Sequence, residues 1–200
     1  MEKTRVAING FGRIGRCFTR QVFQDYFETI EIVGINDLGD IEAMAHLLQY
    51  DSVQGTWDAK ITFGSSHLEV NGIEIPVYHS QNPRDIPWSS DQPDLILEST
   101  GRFKTVSKAS EHLKNADKCI ISAVASDEEV KTIVLGANES MLTSEDRIIS
   151  NASCTTNCAA PLIDVIDKKF GIESGSITTV HSYTGDQSLH DTMHKDLRRA

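Results

Sequence analysis

Ser153-Cys154-Thr155-Thr156-Asn157-Cys158 opens a stretch in which Leu162, Ile163, Ile166 and Phe170 recur at helical spacing and Gly171 closes the run. A cysteine in or just before the first turn of a helix meets unbonded backbone N–H groups and the positive end of the dipole. Both stabilise a thiolate, which is a nucleophile at neutral pH. The plainer reading is a small apolar residue packed at a helix start. Pro161 lies too deep for an ideal first position, so the helix start stays open by a turn. His181 follows 27 residues after Cys154. It lies in the β-rich run 176–183, beyond one helix and the turn Gly171-Ile172-Glu173-Ser174-Gly175. A helix out and a strand back can bring an imidazole to a thiol, and its pKa near neutrality suits proton transfer. A lone histidine on a strand is more often structural, and spacing alone leaves both readings open.

A second chemical signature stands at the other end of the chain. Gly10-Phe11-Gly12-Arg13-Ile14-Gly15 follows the apolar stretch Val6-Ala7-Ile8 directly and opens a helical pattern. Asp37 closes the next apolar run, 22 positions after Gly15. A GxGxxG between strand and helix, followed by an acidic residue, is a dinucleotide fingerprint. In it Gly10 permits the tight turn, Gly12 lets the backbone approach a pyrophosphate, and Gly15 lets helix and strand pack closely. The helix N-terminus supplies N–H donors to the phosphates. Asp37 accepts from the adenine ribose hydroxyls and repels a 2′-phosphate, which favours NAD over NADP.

These groups need a scaffold. Val6-Ala7-Ile8 and residues 30–35 read as strands. Ile14, Cys17, Phe18 and Val22 mark one side of a first helix, and residues 41–50 form a second. Residues 57–77 alternate around Asn71-Gly72, a hairpin signal, and predict a small antiparallel excursion. Residues 81–93 carry three prolines and form a loop. Strands follow at Leu95-Ile96-Leu97, Cys119-Ile120-Ile121, Ile133-Val134-Leu135 and Ile148-Ile149, with a helix over 107–113. The fold class is α/β: a Rossmann-type doubly wound parallel sheet, followed by the start of an α+β catalytic domain. The expected domains are residues 1–152, binding NAD, and residues 153–200, opening a catalytic domain that the chain carries only in part.

The 200 residues carry a net charge of −10, and their longest basic cluster is Arg198-Arg199, which excludes a nucleic-acid backbone as the main partner. No apolar stretch approaches membrane-spanning length, and the N-terminus has no signal-peptide pattern, so a cytoplasmic protein is expected. Cys17, Cys119, Cys154 and Cys158 would then stay reduced, and their spacing matches no metal site.

The run Ser150-Asn151-Ala152-Ser153-Cys154-Thr155-Thr156-Asn157-Cys158 resembles the active-site signature of phosphorylating glyceraldehyde-3-phosphate dehydrogenases. Asn9-Gly10-Phe11-Gly12-Arg13-Ile14-Gly15-Arg16 resembles their cofactor fingerprint, and Thr178-Thr179-Val180-His181-Ser182-Tyr183-Thr184 their histidine segment. The resemblance implies Cys154 as nucleophile and His181 as base. It also implies Ser153, Thr155 and Thr184 at the phosphate sites, and Arg13, Ile14, Gln81, Thr100 and Ser122 as further NAD contacts. Gln81 stands where many members carry a basic residue. The implied partners are glyceraldehyde-3-phosphate and inorganic phosphate, in a homotetramer without membrane association. Two rivals are an erythrose-4-phosphate dehydrogenase, a sister enzyme with the same cysteine signature, and a non-catalytic NAD-binding or sensor protein.

Overall fold

The computed structural model describes residues 2–184. Along them run β1 (Thr4–Asn9), α1 (Arg13–Gln21), β2 (Ile30–Asn36), α2 (Ile41–Gln49), β3 (Tyr50–Asp51), β4 (Gly55–Thr56), β5 (Ile61–Phe63), β6 (His67–Val70) and β7 (Ile73–Tyr78). Then come β8 (Leu95–Glu98), α3 (Val106–Ala109), β9 (Lys118–Ile121), β10 (Lys131–Thr132), β11 (Ile148–Ser150) and α4 (Cys154–Phe170).

Val6, Ala7 and Ile8 are all buried, as expected of a strand covered on both faces. The parallel partners of β1 are β2 on one side and β8 on the other. Parallel pairing continues through β9, β11 and β10 beyond β8, and through β7 beyond β2. Antiparallel β6 and β5 complete one sheet of order β10-β11-β9-β8-β1-β2-β7-β6-β5. The chain therefore leaves β1 toward β2 and later returns on the opposite side at β8. That reversal opens a crevice at the carboxyl ends of β1, β2 and β8, where open α/β sheets take their ligands.

Alternate side chains fill two apolar cores. Val6, Ile8, Ile35, Leu48 and Leu68 share one, while Ala7, Val33, Trp88, Ile96 and Ile121 share the other. Asn71 and Gly72 take φ of 53° and 85° in the β6–β7 hairpin, as a two-residue turn between twisted strands requires. Through β7 and β2 that hairpin is continuous with the main sheet. A second hairpin, β3–β4, had no expectation in the sequence.

Several expectations are corrected. Helix α1 passes into a wider turn at Val22–Tyr26, and Ile14 on its expected apolar side is exposed. The helix buries Gly15, Thr19 and Arg20, while Val22 just beyond it lies in the core and Phe18 packs against that core, as expected. Arg20 donates from Nε and Nη2 to the Leu48 carbonyl (2.9 and 2.7 Å), from Nη2 to Gln49 (3.0 Å), and from both Nη atoms to Gly55 (3.2 Å each). It thereby serves the carbonyls that end α2. Residues 133–135 are not a strand, because β10 stops at Thr132, and Asn138 Oδ1 accepts the Val134 amide (2.7 Å) to turn the chain. The expected helix over 107–113 is α3 followed by a 3-10 turn, Ser110–Lys114.

A second compact unit begins at Val165, within α4. Residues 171–184 carry no strand, which corrects the β reading of 176–183 as far as the description reaches. Val180 and Tyr183 are exposed there. Among the described residues no helix is long and apolar enough to cross a membrane.

Candidate functional site

The crevice is built from the loops that follow three adjacent parallel strands. At the end of β1, Gly10 takes φ +98°, and a Cβ there would stand 2.6 Å from the Thr100 amide nitrogen. A Cβ on Gly15 would meet the Gly10 carbonyl oxygen at 2.4 Å. Gly12 differs from both: nothing lies within 4 Å of its missing Cβ. It is the last residue before α1 and makes no side-chain capping bond, so the first turn's N–H groups await an acceptor. The glycines thus divide into two that let the backbone pack and one that leaves room for a ligand.

Asp37 follows β2. Its Oδ2 accepts the Phe11 amide at 2.6 Å and its Oδ1 the Gly39 amide at 2.8 Å, so the carboxylate braces the glycine turn. The resulting cleft holds about 250 Å³. Of the residues singled out in the sequence, Gly10, Gly12, Asp37, Gln81 and Thr100 line it. Arg13, Ile14, Gly15 and Ser122 do not. Arg13 turns to Asp51 (2.8 and 3.1 Å), and the Ser122 amide donates to the Glu98 carbonyl at 2.9 Å. Asn9, Asn36, Leu38, Ser80, Ser99, Arg102 and Phe103 also line the cleft and were missed. A usable signal existed for two of them, since Asn9 and Asn36 each end an apolar strand just before a glycine or acidic position. An open cradle at Gly12 and a helix start facing it fit a dinucleotide pyrophosphate.

The cysteine lies at a second strand–turn–helix junction. Strand β11 ends at Ser150, whose buried Oγ donates to the Ala123 carbonyl (2.8 Å) and accepts the Ala125 and Ala152 amides (3.2 and 3.3 Å). Ala152 takes φ +60°, a left-handed conformation that swings the backbone from strand to helix. Ser153 Oγ accepts the Thr156 amide at 3.0 Å and caps α4. Asn157 Nδ2 donates to the carbonyls of Asn151 (2.6 Å) and Ser153 (2.9 Å). Cys154 is therefore the first residue of α4 and exposed, with Pro161 inside the helix. Thr155 is half-buried beside it, and Cys158 is exposed one turn on. Cys119 is the opposite kind of thiol, buried in the core, where desolvation and then the nearby Glu98 charge push its pKa up. His181 and Thr184 are exposed within the unit that begins at Val165.

Comparison with known proteins gives the family. Residues 4–106 match the family profile described as "Glyceraldehyde 3-phosphate dehydrogenase, NAD binding domain", and residues 153–200 match that family's C-terminal domain. The chain is 50% identical over 197 residues to a glyceraldehyde-3-phosphate dehydrogenase of Thermotoga maritima, and 48% over 196 residues to one of Cereibacter sphaeroides. Both alignments cover 98% of this chain. A chloroplastic relative from Chlamydomonas reinhardtii is 47% identical over 201 residues, covering 100% of this chain. The chain spans 59%, 58% and 54% of the length of these three relatives. The first profile falls on the glycine turn and its crevice and the second opens one residue before the cysteine helix, so the chain belongs to the glyceraldehyde 3-phosphate dehydrogenase family.

Proposed function

We propose that the protein oxidises glyceraldehyde-3-phosphate with inorganic phosphate and NAD to 1,3-bisphosphoglycerate, through a thioester on Cys154. The observation that carries this reading is the exposed Cys154 at the first position of a capped helix that springs from the parallel sheet. A thiolate there attacks the aldehyde carbon and forms a hemithioacetal. His181 takes the proton from its hydroxyl. When bound, NAD accepts the hydride that this carbon releases, and a thioester remains on Cys154. Inorganic phosphate then displaces the sulfur, so covalent capture divides one hard step into two. Ser153, Thr155 and Thr184 supply hydroxyls for the two phosphate groups. The Ser153 hydroxyl also caps the helix, so phosphate would share its Oγ with the Thr156 amide.

The residues that would hold NAD are those of the crevice, Gly12 for the pyrophosphate and Asp37 for the adenine ribose. Gln81 and Thr100 flank the adenine side, and Ser122 serves the nicotinamide side. Arg13 enters as a cofactor contact on leaving Asp51, and Ile14 follows it in the first turn of α1. The Asp37 carboxylate disfavours a 2′-phosphate, so NAD is preferred to NADP. The domain division is placed between residues 152 and 153, which the start of the second family match supports. A cytoplasmic homotetramer completes the reading.

The test is NADH formation from NAD with glyceraldehyde-3-phosphate and inorganic phosphate, beside an erythrose-4-phosphate control and the Cys154→Ala variant. Phosphate-dependent NADH from the triose, abolished in the variant, supports the proposal. Preference for the tetrose transfers the assignment to the sister activity. Binding of NAD with no turnover reduces the protein to a binding module.

A further inference from the structure

Beneath the cleft runs a buried chain of polar groups whose two ends, Ser80 and Thr100, both line the cleft. Glu98, the last residue of β8, and His112 are both fully buried. Glu98 Oε1 accepts the Thr100 amide (2.8 Å) and the Thr100 hydroxyl (2.5 Å). Its Oε2 accepts Asn9 Nδ2 at 2.6 Å and lies 3.0 Å from His112 Nε2. Asn9 Oδ1 in turn accepts Asn36 Nδ2 (2.7 Å). Asn36 closes on the Ser80 backbone, its Oδ1 accepting the Ser80 amide (2.8 Å) and its Nδ2 donating to the Ser80 carbonyl (3.0 Å).

The direction of every bond in this chain is dictated by main-chain groups at its two ends. The Ser80 amide can only donate and its carbonyl only accept, so Asn36 has one orientation. Asn9 must then offer its oxygen to Asn36 and its amide nitrogen to Glu98. At the other end the Thr100 amide must donate as well. Glu98 meets fixed donors at both oxygens, a set that a carboxylate accepts with lone pairs to spare. His112 must present a hydrogen on Nε2. Its Nδ1 is buried with no partner, and a bare nitrogen there costs less than an unmatched N–H on an imidazolium.

We propose that Glu98 is a positioning residue for the dinucleotide. Its carboxylate holds the β1 loop at Asn9 and the β8 loop at Thr100 in register, so that the two walls of the cleft stand at the separation the cofactor needs. The same packing shows in Gly10, whose missing Cβ faces the Thr100 amide at 2.6 Å. The inference rests on the dinucleotide reading of the cleft. Glu98 itself does not line it. Glu98→Gln keeps the size of the side chain but reverses one polarity. The Thr100 amide keeps the carbonyl oxygen of the new side chain, so its NH2 faces Asn9 Nδ2 and His112 Nε2, donor against donor.

The experiment is NAD titration by calorimetry on the full chain and on Glu98→Gln, together with long-range 1H–15N spectra of the histidine rings. In the parent protein His112 is expected as the neutral Nε2–H tautomer. In Glu98→Gln it moves to Nδ1–H, accepting from the new amide, and NAD affinity falls by about tenfold or more. A loss of affinity from general loosening would not move the proton between ring nitrogens. Equal NAD affinity in the two proteins overturns the positioning role while leaving the dinucleotide reading intact. No NAD binding by the parent protein overturns that reading, and this inference with it. Should Glu98→Gln not fold, the parent spectrum decides: an Nδ1–H or doubly protonated His112 overturns the donor order, and Nε2–H supports it.

Discussion

Gly15 sits against Gly10 so closely that a methyl group on the former would stand 2.4 Å from the carbonyl oxygen of the latter and 3.1 Å from Ile8 Cγ2. Both obstacles belong to β1 and its turn, so α1 would have to shift as a whole. Gly15→Ala is expected to lose about 1–3 kcal/mol in chemical denaturation. Gly12→Ala meets open space, and its denaturation midpoint stays near that of the parent while NAD binding weakens. Equal stability loss in the two variants would refute this division of roles.

The ion pair Lys131–Asp146 (2.6 Å) joins β10 to the segment leading into β11. The Lys131 ammonium, then the Thr143 amide, hold the Asp146 carboxyl down to about 2. A carboxyl whose folded pKa lies below its ordinary value of about 3.9 contributes stability above that value and loses it as pH falls toward 2. Asp146→Asn should therefore melt below the parent at pH 7, with the gap closing between about pH 4 and pH 2. A gap that persists unchanged at pH 2 would refute the assignment.

Thiol chemistry separates the cysteines by place. Iodoacetamide on the native protein at neutral pH is expected to modify Cys154 first and Cys158 more slowly. Cys119 is spared, because burial both blocks it and raises its pKa. Peptide mapping by mass spectrometry after short exposures gives the order. Labelling of Cys119 alongside the other two in folded protein would contradict the core described above.

Ser153→Ala removes the oxygen that accepts the Thr156 amide. Loss of such a cap costs about 1 kcal/mol. Amide exchange at Thr156 should quicken several-fold, while exchange in the middle of β1 is unchanged. Rescue by Ser153→Asp, which restores an acceptor, would identify the effect as capping.

Local patterns in the sequence were legible because they act over a few residues. Short apolar runs located β1 and β2, period-3.6 apolar spacing located α1, α2 and α4, and Asn71-Gly72 located its hairpin. The glycine turn with Asp37 located one face of the cleft. What escaped depends on partners far along the chain. Trp88 reads as part of a proline-rich loop, yet it is wholly buried as a core side chain. Residues 133–135 are apolar enough for a strand, but the Asn138 side chain takes the Val134 amide. Glu98 and His112 look like ordinary charged positions until β8 is laid beside β1 and brings Asn9 within reach. Arg13, singled out for the cofactor, is paired with Asp51, 38 residues away.

The hydrogen bonds of Arg20 all go to main-chain carbonyls, those of Leu48 and Gln49 at the end of α2 and of Gly55 in β4. A side chain that reads backbone is indifferent to the identity of the residues it reads. Gln49 can therefore drift through generations of substitution without loosening the junction, whereas Arg20 has no equivalent: lysine would present one point charge in place of a fork. The joint therefore depends on the Arg20 fork itself, while the residues whose carbonyls it binds can change side chain without breaking those bonds.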